Sequence, residues 1–164
     1  MRPLPSQQLD PRIKNVWRIS ALITTVIVYA CCALPFLLVG FFSAEEAEWA
    51  YMLVAAETVL AVLAMVVFVA VLPPLRYIRW HYQLDPGFLD ISKGIVWRQR
   101  CVIPFIRVQN TDTQQGPIMR AFHLSSVTVS TAAGNHQIPG IDIEQADALR
   151  DKAAEFARIA REDV

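Results

Sequence analysis

The sequence predicts a membrane protein in two parts: an α-helical hairpin in the bilayer and a mainly-β domain closed by one C-terminal helix. Three observations predict it. Residues 20–42 and 50–72 form two long apolar runs, the first without a charge and the second with Glu57 alone. From Leu75 the apolar period changes from that of a helix to that of a strand, and turn residues then recur between short segments. Near the end, Ala146, Leu149, Ala153, Phe156 and Ala160 form one helical stripe after a turn at Pro139-Gly140.

Composition narrows the class. The chain has 164 residues, room for one modest domain and an anchor. With 54% hydrophobic and 18% charged residues it is too apolar for an ordinary soluble domain. A formal net charge of +0 argues against a general polyanion binder, so no nucleic-acid partner is expected. Charge is segregated all the same. Arg2, Arg12, Lys14 and Arg18 precede the first run, Glu45, Glu46 and Glu48 lie between the runs, and Arg76, Arg79, Lys93, Arg98 and Arg100 follow the second. Cys31 and Cys32 are adjacent in an apolar run and Cys101 is remote, so no disulfide framework is expected. No metal-ligand spacing, phosphate loop or nucleophile motif occurs, and no cofactor is expected.

Residues 1–19 read as a basic lead-in, irregular to about Pro11, where a short helix can start. Residues 20–42 form the first span, long enough for a hydrocarbon core of about 30 Å, with Pro35 expected to kink it. A cleaved signal peptide is the rival reading. The run exceeds a signal's usual apolar length of about 7–15 residues, and a second span follows at once. Residues 43–49 are a short acidic loop with Trp49 at its edge, and residues 50–74 form the second span, ended by Pro73-Pro74. Bases flank both outer ends of this hairpin. The positive-inside rule therefore places both termini in the cytoplasm, at the plasma membrane, and the acidic loop outside.

Residues 75–164 form the β domain. Ile78, Trp80, Tyr82 and Leu84 alternate with Tyr77, Arg79, His81 and Gln83, which reads as a strand leaving the membrane directly, with a helix that persists a turn past Pro74 as the alternative. Asp85-Pro86-Gly87 is a turn, residues 88–91 a strand and Ser92-Lys93-Gly94 another turn. In the strand 95–103, Ile95, Trp97, Cys101 and Ile103 share a face, and Arg98 and Arg100 take the other. After Pro104, residues 105–113 resume as a strand, and Pro117 starts a short helix to Phe122. Residues 125–131 and 136–138 are strands around a turn in which Gly134-Asn135 suits positive φ. Pro139-Gly140 ends the second of them, and Asp142 caps the last helix, with Gln145 three residues on.

Ile103-Pro104 with Arg107 and Gln109, Gln115-Gly116-Pro117 with Arg120, and Ile138-Pro139-Gly140 carry a family resemblance. Together with the paired spans, they make the whole chain similar to the membrane-anchored bacterial pleckstrin-homology-like domains. That resemblance implies a bent β-sandwich of about seven strands capped by a C-terminal helix. It also marks one departure: the family usually has a glycine where this chain has His123, which either argues against a positive-φ backbone there or marks a local change of contact. Eukaryotic domains of this fold often bind phosphoinositides through a basic loop between their first two strands. Asp85-Pro86-Gly87 stands in for that loop here and carries no basic cluster, so this ligand is not carried over.

The candidate binding surface is Arg107 and Gln109, which share a strand face with Phe105 and Thr111, together with Arg120. The plainer reading is that Arg107 braces the loop at Gly116 through backbone carbonyls, with Arg120 doing the same nearby. Lys14, Arg18, Arg76 and Arg79, together with Arg98 and Arg100, are candidate contacts to anionic headgroups, each worth about 1 kcal/mol near the surface. Glu57 is either a functional intramembrane acid or a carboxyl that reaches the interface or bonds Thr24 or Thr25 across the hairpin. The expected function is a non-enzymatic interaction or scaffold module, binding a related membrane protein or assembling with itself. The alternative is a lipid-sensing or transport-assisting component that uses Glu57 and the membrane-proximal bases.

Overall fold

The computed structural model describes residues 5–43, 45 and 47–162. Arg2 of the lead-in and Glu46 of the acidic loop lie outside the described residues. The chain forms two compact units, Trp17–Pro73 and a β unit made of the segment up to Val16 together with Pro74–Val164. The β unit is therefore discontinuous in sequence, and the helical unit is inserted into it.

The helical unit contains two helices long and apolar enough to cross a membrane, and each is only 6% buried over its apolar window. So low a burial is unlike that of a core helix in a soluble protein. Helix α1 covers Ile13–Phe42 and runs on through Pro35. Helix α2 covers Ala47–Met65 and passes into a wide π-helical stretch, Val66–Val71, and then α3, Leu72–Arg79. Close to the turn, Phe36 meets Trp49 edge-on at 6.4 Å and Ala33 and Ala50 are buried. Further along, Tyr29 and Thr58 share a hydrogen bond of 2.9 Å.

Pro73-Pro74 does not end the second helix. Both prolines fall in the first turn of α3, where a missing N–H costs little. The π stretch just before them carries the bond from the Leu72 N–H to the Val67 carbonyl, a wider loop than the α pattern. The strand expected from Tyr77 is accordingly helix as far as Arg79, and Ile78 is 58% exposed. Only Trp80 and Tyr82 of the expected face are buried.

Two antiparallel sheets form the β unit. The first has the order β1 (Gln7–Gln8), β2 (His81–Asp85), β3 (Phe88–Lys93), β4 (Gln99–Pro104). The second has the order β5 (Val108–Gln114), β6 (Leu124–Thr131), β7 (Gly134–Asp142). The expected count of about seven strands and the closing helix, α5 (Ile143–Glu162), are both met. The seventh strand is one that the periodicity missed. Gln7–Gln8 pairs with Tyr82 and His81, so the lead-in carries a short strand within the stretch expected to be irregular.

Other boundaries move as well. Residues 95–98 are a loop, with Trp97 84% exposed, because β4 starts only at Gln99. Phe105–Arg107 is a 3-10 turn that drives Phe105 fully into the core, where its ring lies 5.5 Å from that of Phe156 on α5. Strand β7 continues through Pro139-Gly140, where an extra residue opposite Ser125–Val127 makes a bulge that lets a proline stay in the strand. The short helix α4 (Pro117–Ala121) and the Asp142 cap on the Glu144 N–H are as expected.

The core lies between the sheets and under α5, with Leu89, Leu124, Val127, Ile138 and Ala146 all at 0% exposure. Leu9, Ile13 and Val16 join it from the N-terminal segment. Ile13 closes on the backbone of Gly140, which has φ +64 and no room for a Cβ. The Asp10 N–H donates to the Gly140 carbonyl at 2.9 Å. Arg12 donates to Asp10 at 2.9 Å and to Asp142 at 2.7 Å, linking this segment to the cap of α5. Across β3 and β4, the buried Asp90 accepts from both Nε and Nη2 of Arg100. Arg100 therefore serves the sheet rather than a free basic face.

His123 has φ +54, so the backbone is left-handed there even though the residue is not glycine. A residue with a Cβ takes this conformation at a cost of about 1–2 kcal/mol. His123→Gly should raise stability by up to about 1 kcal/mol, read as a higher midpoint of chemical unfolding in detergent. The hydrogen bond from Arg12 holds the Asp10 carboxyl below its ordinary value. Its contribution is present above the unfolded-state value near 3.8 and is lost as pH falls through the lower folded value. Asp10→Asn should therefore lower Tm at neutral pH, and the gap to the native chain should close in strong acid.

Candidate functional site

Arg107 and Gln109 come together, but not on a common strand face. Arg107 ends the 3-10 turn, and Gln109 is the extra residue of a bulge where β5 slips against β6 between Val108 and Asn110. A bulge re-aims its side chain, and both residues line one cleft of about 600 Å³. Cys101 of β4, Ile106, His136 of β7 and Arg161 of α5 line it too. Within it the Cys101 Sγ lies 3.7 Å from His136 Nδ1, and the Arg161 guanidinium donates to the Val108 carbonyl.

Arg120 lies elsewhere. It is on α4, which connects the Gln114 end of β5 to the Leu124 end of β6. Val108 pairs with Thr131 and Gln114 with Ser126, so six residue steps, about 20 Å of strand, separate the end beside Arg107 from the end beside Arg120. The same register removes Arg107 from Gly116. That loop is braced instead by Gln115 Nε2, which donates to the Leu124 carbonyl at 2.9 Å, and by Ser125 Oγ, which donates to the Gln114 carbonyl at 3.1 Å.

The cleft borders strand edges. Strand β4 ends the first sheet and β5 ends the second, and no strand among the described residues pairs with the outer side of either. Their alternate N–H and C=O groups can accept an extended segment, and Arg107 and Gln109 add polar donors beside them. Arg161 occupies one backbone acceptor at the start of β5, which confines such pairing to the rest of the strand.

The proposed headgroup contacts divide between the units. Lys14, Arg76 and Arg79 belong to the β unit and Arg18 to the helical unit. The Lys14 ammonium sits 4.8 Å above the Tyr77 ring, so part of its interaction is already internal. Arg76 and Arg79 lie in the last turn of α3 and are exposed.

Glu57 lines a cavity of about 500 Å³ within the helical unit, together with Thr24, Thr25 and Tyr29 of α1. Its Oε2 is buried without a hydrogen-bond partner. The Thr24 hydroxyl is turned to the Ser20 carbonyl of its own helix, and Tyr29 is engaged with Thr58. The expected bond from Thr24 across the hairpin to this oxygen is therefore absent. Among the described residues, no group of three or more His, Cys, Asp or Glu side chains is placed to hold a metal.

Comparison with known proteins places this arrangement in context. The model of the bacterial PH domain matches residues 19–157. The chain is 34% identical, over the full length of both sequences, to the UPF0699 transmembrane protein YdbS of Bacillus subtilis (strain 168). No solved structure matches it. The match begins at residue 19, so it omits the segment that supplies β1, Leu9 and Ile13 to the β unit.

An unpartnered carboxyl oxygen among apolar side chains is destabilising. Glu57→Leu should stabilise the chain in detergent by roughly 1 kcal/mol, read from Tm. A lower Tm would mean that the carboxyl has a partner in the membrane.

Proposed function

The chain belongs to the bacterial PH domain family, and from that premise we propose that it is a membrane-anchored, non-catalytic interaction module. It is a membrane protein with a bacterial PH-like domain, and its role is to present that domain beside the bilayer to a protein partner. The partner is a second copy or a related membrane protein. The observation that carries this reading is the pair of open strand edges, β4 and β5, beside the cleft that holds Arg107 and Gln109. A partner strand there would gain main-chain hydrogen bonds from the edge and side-chain selection from the cleft.

Sequence continuity supports the topology. The segment up to Val16 and the segment from Pro74 onward fold as one unit, and a bilayer cannot divide a compact domain. Both ends of the hairpin therefore leave from one side of the membrane. The bases Arg12, Lys14, Arg76 and Arg79 near those ends favour the cytoplasmic side, with the acidic turn outside. A multi-pass plasma-membrane protein with both termini in the cytoplasm is the result. The alternative, a lipid-sensing or transport-assisting component, is supported by the unpartnered Glu57 oxygen in its cavity.

Photocrosslinking in native membranes tests the first reading. A photoreactive residue at Val102 on β4 or at Asn110 on β5 should give discrete adducts, and one at Pro86 should not. Arg107→Ala should weaken the adducts, and Glu57→Gln should leave them intact. Recovery of monomer alone from both edge positions would sink the reading.

A further inference from the structure

The loop between β3 and β4 is unlike any other surface of the β unit. It contains Val96, 82% exposed, and Trp97, 84% exposed. No other described large hydrophobic residue is as exposed, those of the membrane helices included. A Trp and a Val side by side at the tip of a polar domain are costly to leave in water. The loop is also held in place. Gly94 has φ +111, and a Cβ there would collide with the Trp97 carbonyl, so the turn that projects the two side chains is built around the missing side chain. Lys93 and Arg98 flank the tip, and both are exposed.

Strand register fixes where this tip lies in the sheet. His81 pairs with Ser92, Ser92 with Arg100, and Lys93 with Gln99. The loop 94–98 therefore projects from the end of the sheet at which β2 begins. That is the end at which the chain arrives from α3, with only Trp80 between Arg79 and His81. Gln8 of β1 pairs with His81 at the same end, and the chain runs on from there to α1. Two strand spacings, about 10 Å, separate the start of β2 from the start of β4.

We propose that the β3–β4 loop is a membrane-contact site, with Val96 and Trp97 entering the interfacial layer of the bilayer and Lys93 and Arg98 meeting anionic phosphates. Tryptophan suits that layer because its ring is apolar and its N–H remains hydrated. Basic residues beside it gain from the negative surface of an anionic leaflet. The same bases argue against a second copy as the occupant, because two identical loops would bring Lys93 and Arg98 against their own counterparts. The site is independent of the edge-strand partner above. It would hold the domain against the bilayer at a point other than its two covalent links to the hairpin.

The test uses the full chain with Cys31, Cys32 and Cys101 replaced by alanine and one spin label at Val96→Cys. It is reconstituted at one chain per nanodisc of phosphatidylglycerol and phosphatidylethanolamine. The same label at Pro86→Cys, in the β2–β3 turn at the opposite end of the sheet, is the reference. Collision with a water-soluble nickel chelate should be several-fold lower at 96 than at 86, and collision with oxygen higher. Equal nickel access at the two positions would overturn the proposal. So would protection that arises only with two chains per disc, which would assign the loop to a second copy, or only in native membranes, which would assign it to another protein. A label-free measurement guards against perturbation by the probe. Brominated lipid should quench a fluorescence component that is missing in Trp97→Phe. If the native chain and Trp97→Phe are quenched by the same amount, the loop stays in water.

Discussion

Ile13 closing on the backbone of Gly140 is the contact on which the rest of this architecture depends. A residue just ahead of the first membrane span is buried in the domain that follows the second. A side chain at position 140 would occupy the space that Ile13 fills, and the left-handed φ there comes with the bulge that keeps Pro139 inside β7. The Asp10–Arg12–Asp142 links and the two-residue strand β1 hold the same segment at neighbouring points. No one of these interactions is large. Together they make the lead-in part of the fold.

The insertion of the hairpin follows from that contact. A domain interrupted by its anchor has two covalent links to it, one at each end of the insert. The loop between the first two strands is, in this chain, the membrane hairpin itself rather than Asp85-Pro86-Gly87, which joins β2 to β3. What remains open are the two sheet edges, the cleft shaped by the bulge at Gln109, and the loop at Val96-Trp97.

The candidate residues separate along the same lines. Arg107 and Gln109 share a cleft because a 3-10 turn and a bulge bring them there, whereas a regular strand would have set them by simple alternation. Arg120 sits beside the Gly116 loop, as its place in the sequence implies, whereas Arg107, also expected to brace that loop, lies at the other end of β5. Arg100 looked like a member of a basic face and is instead paired with the buried Asp90. Its partner is ten residues away on the neighbouring strand, a pairing that only register reveals. The Trp97 side chain reads as a core residue by alternation, and Gly94 was the available hint that the strand had not yet begun.

The sequence by itself determined what depends on composition over a window. The two spans are legible because the bilayer requires long runs without charge, and α5 because its stripe repeats at helical spacing over about four turns. Short strands were legible where turn residues bounded them and alternation held, as in residues 125–131. Tertiary structure alone decided the remainder. Whether Pro73-Pro74 stops a helix depends on whether a wider turn upstream makes room for the rings, and residues 77–80 fit both periods until that is settled. Whether Gln7–Gln8 is a strand depends on a partner at His81–Tyr82 on the far side of two membrane spans. Two residues carry no period, and their pairing is set by contacts that close only when the ends of the hairpin meet in one domain.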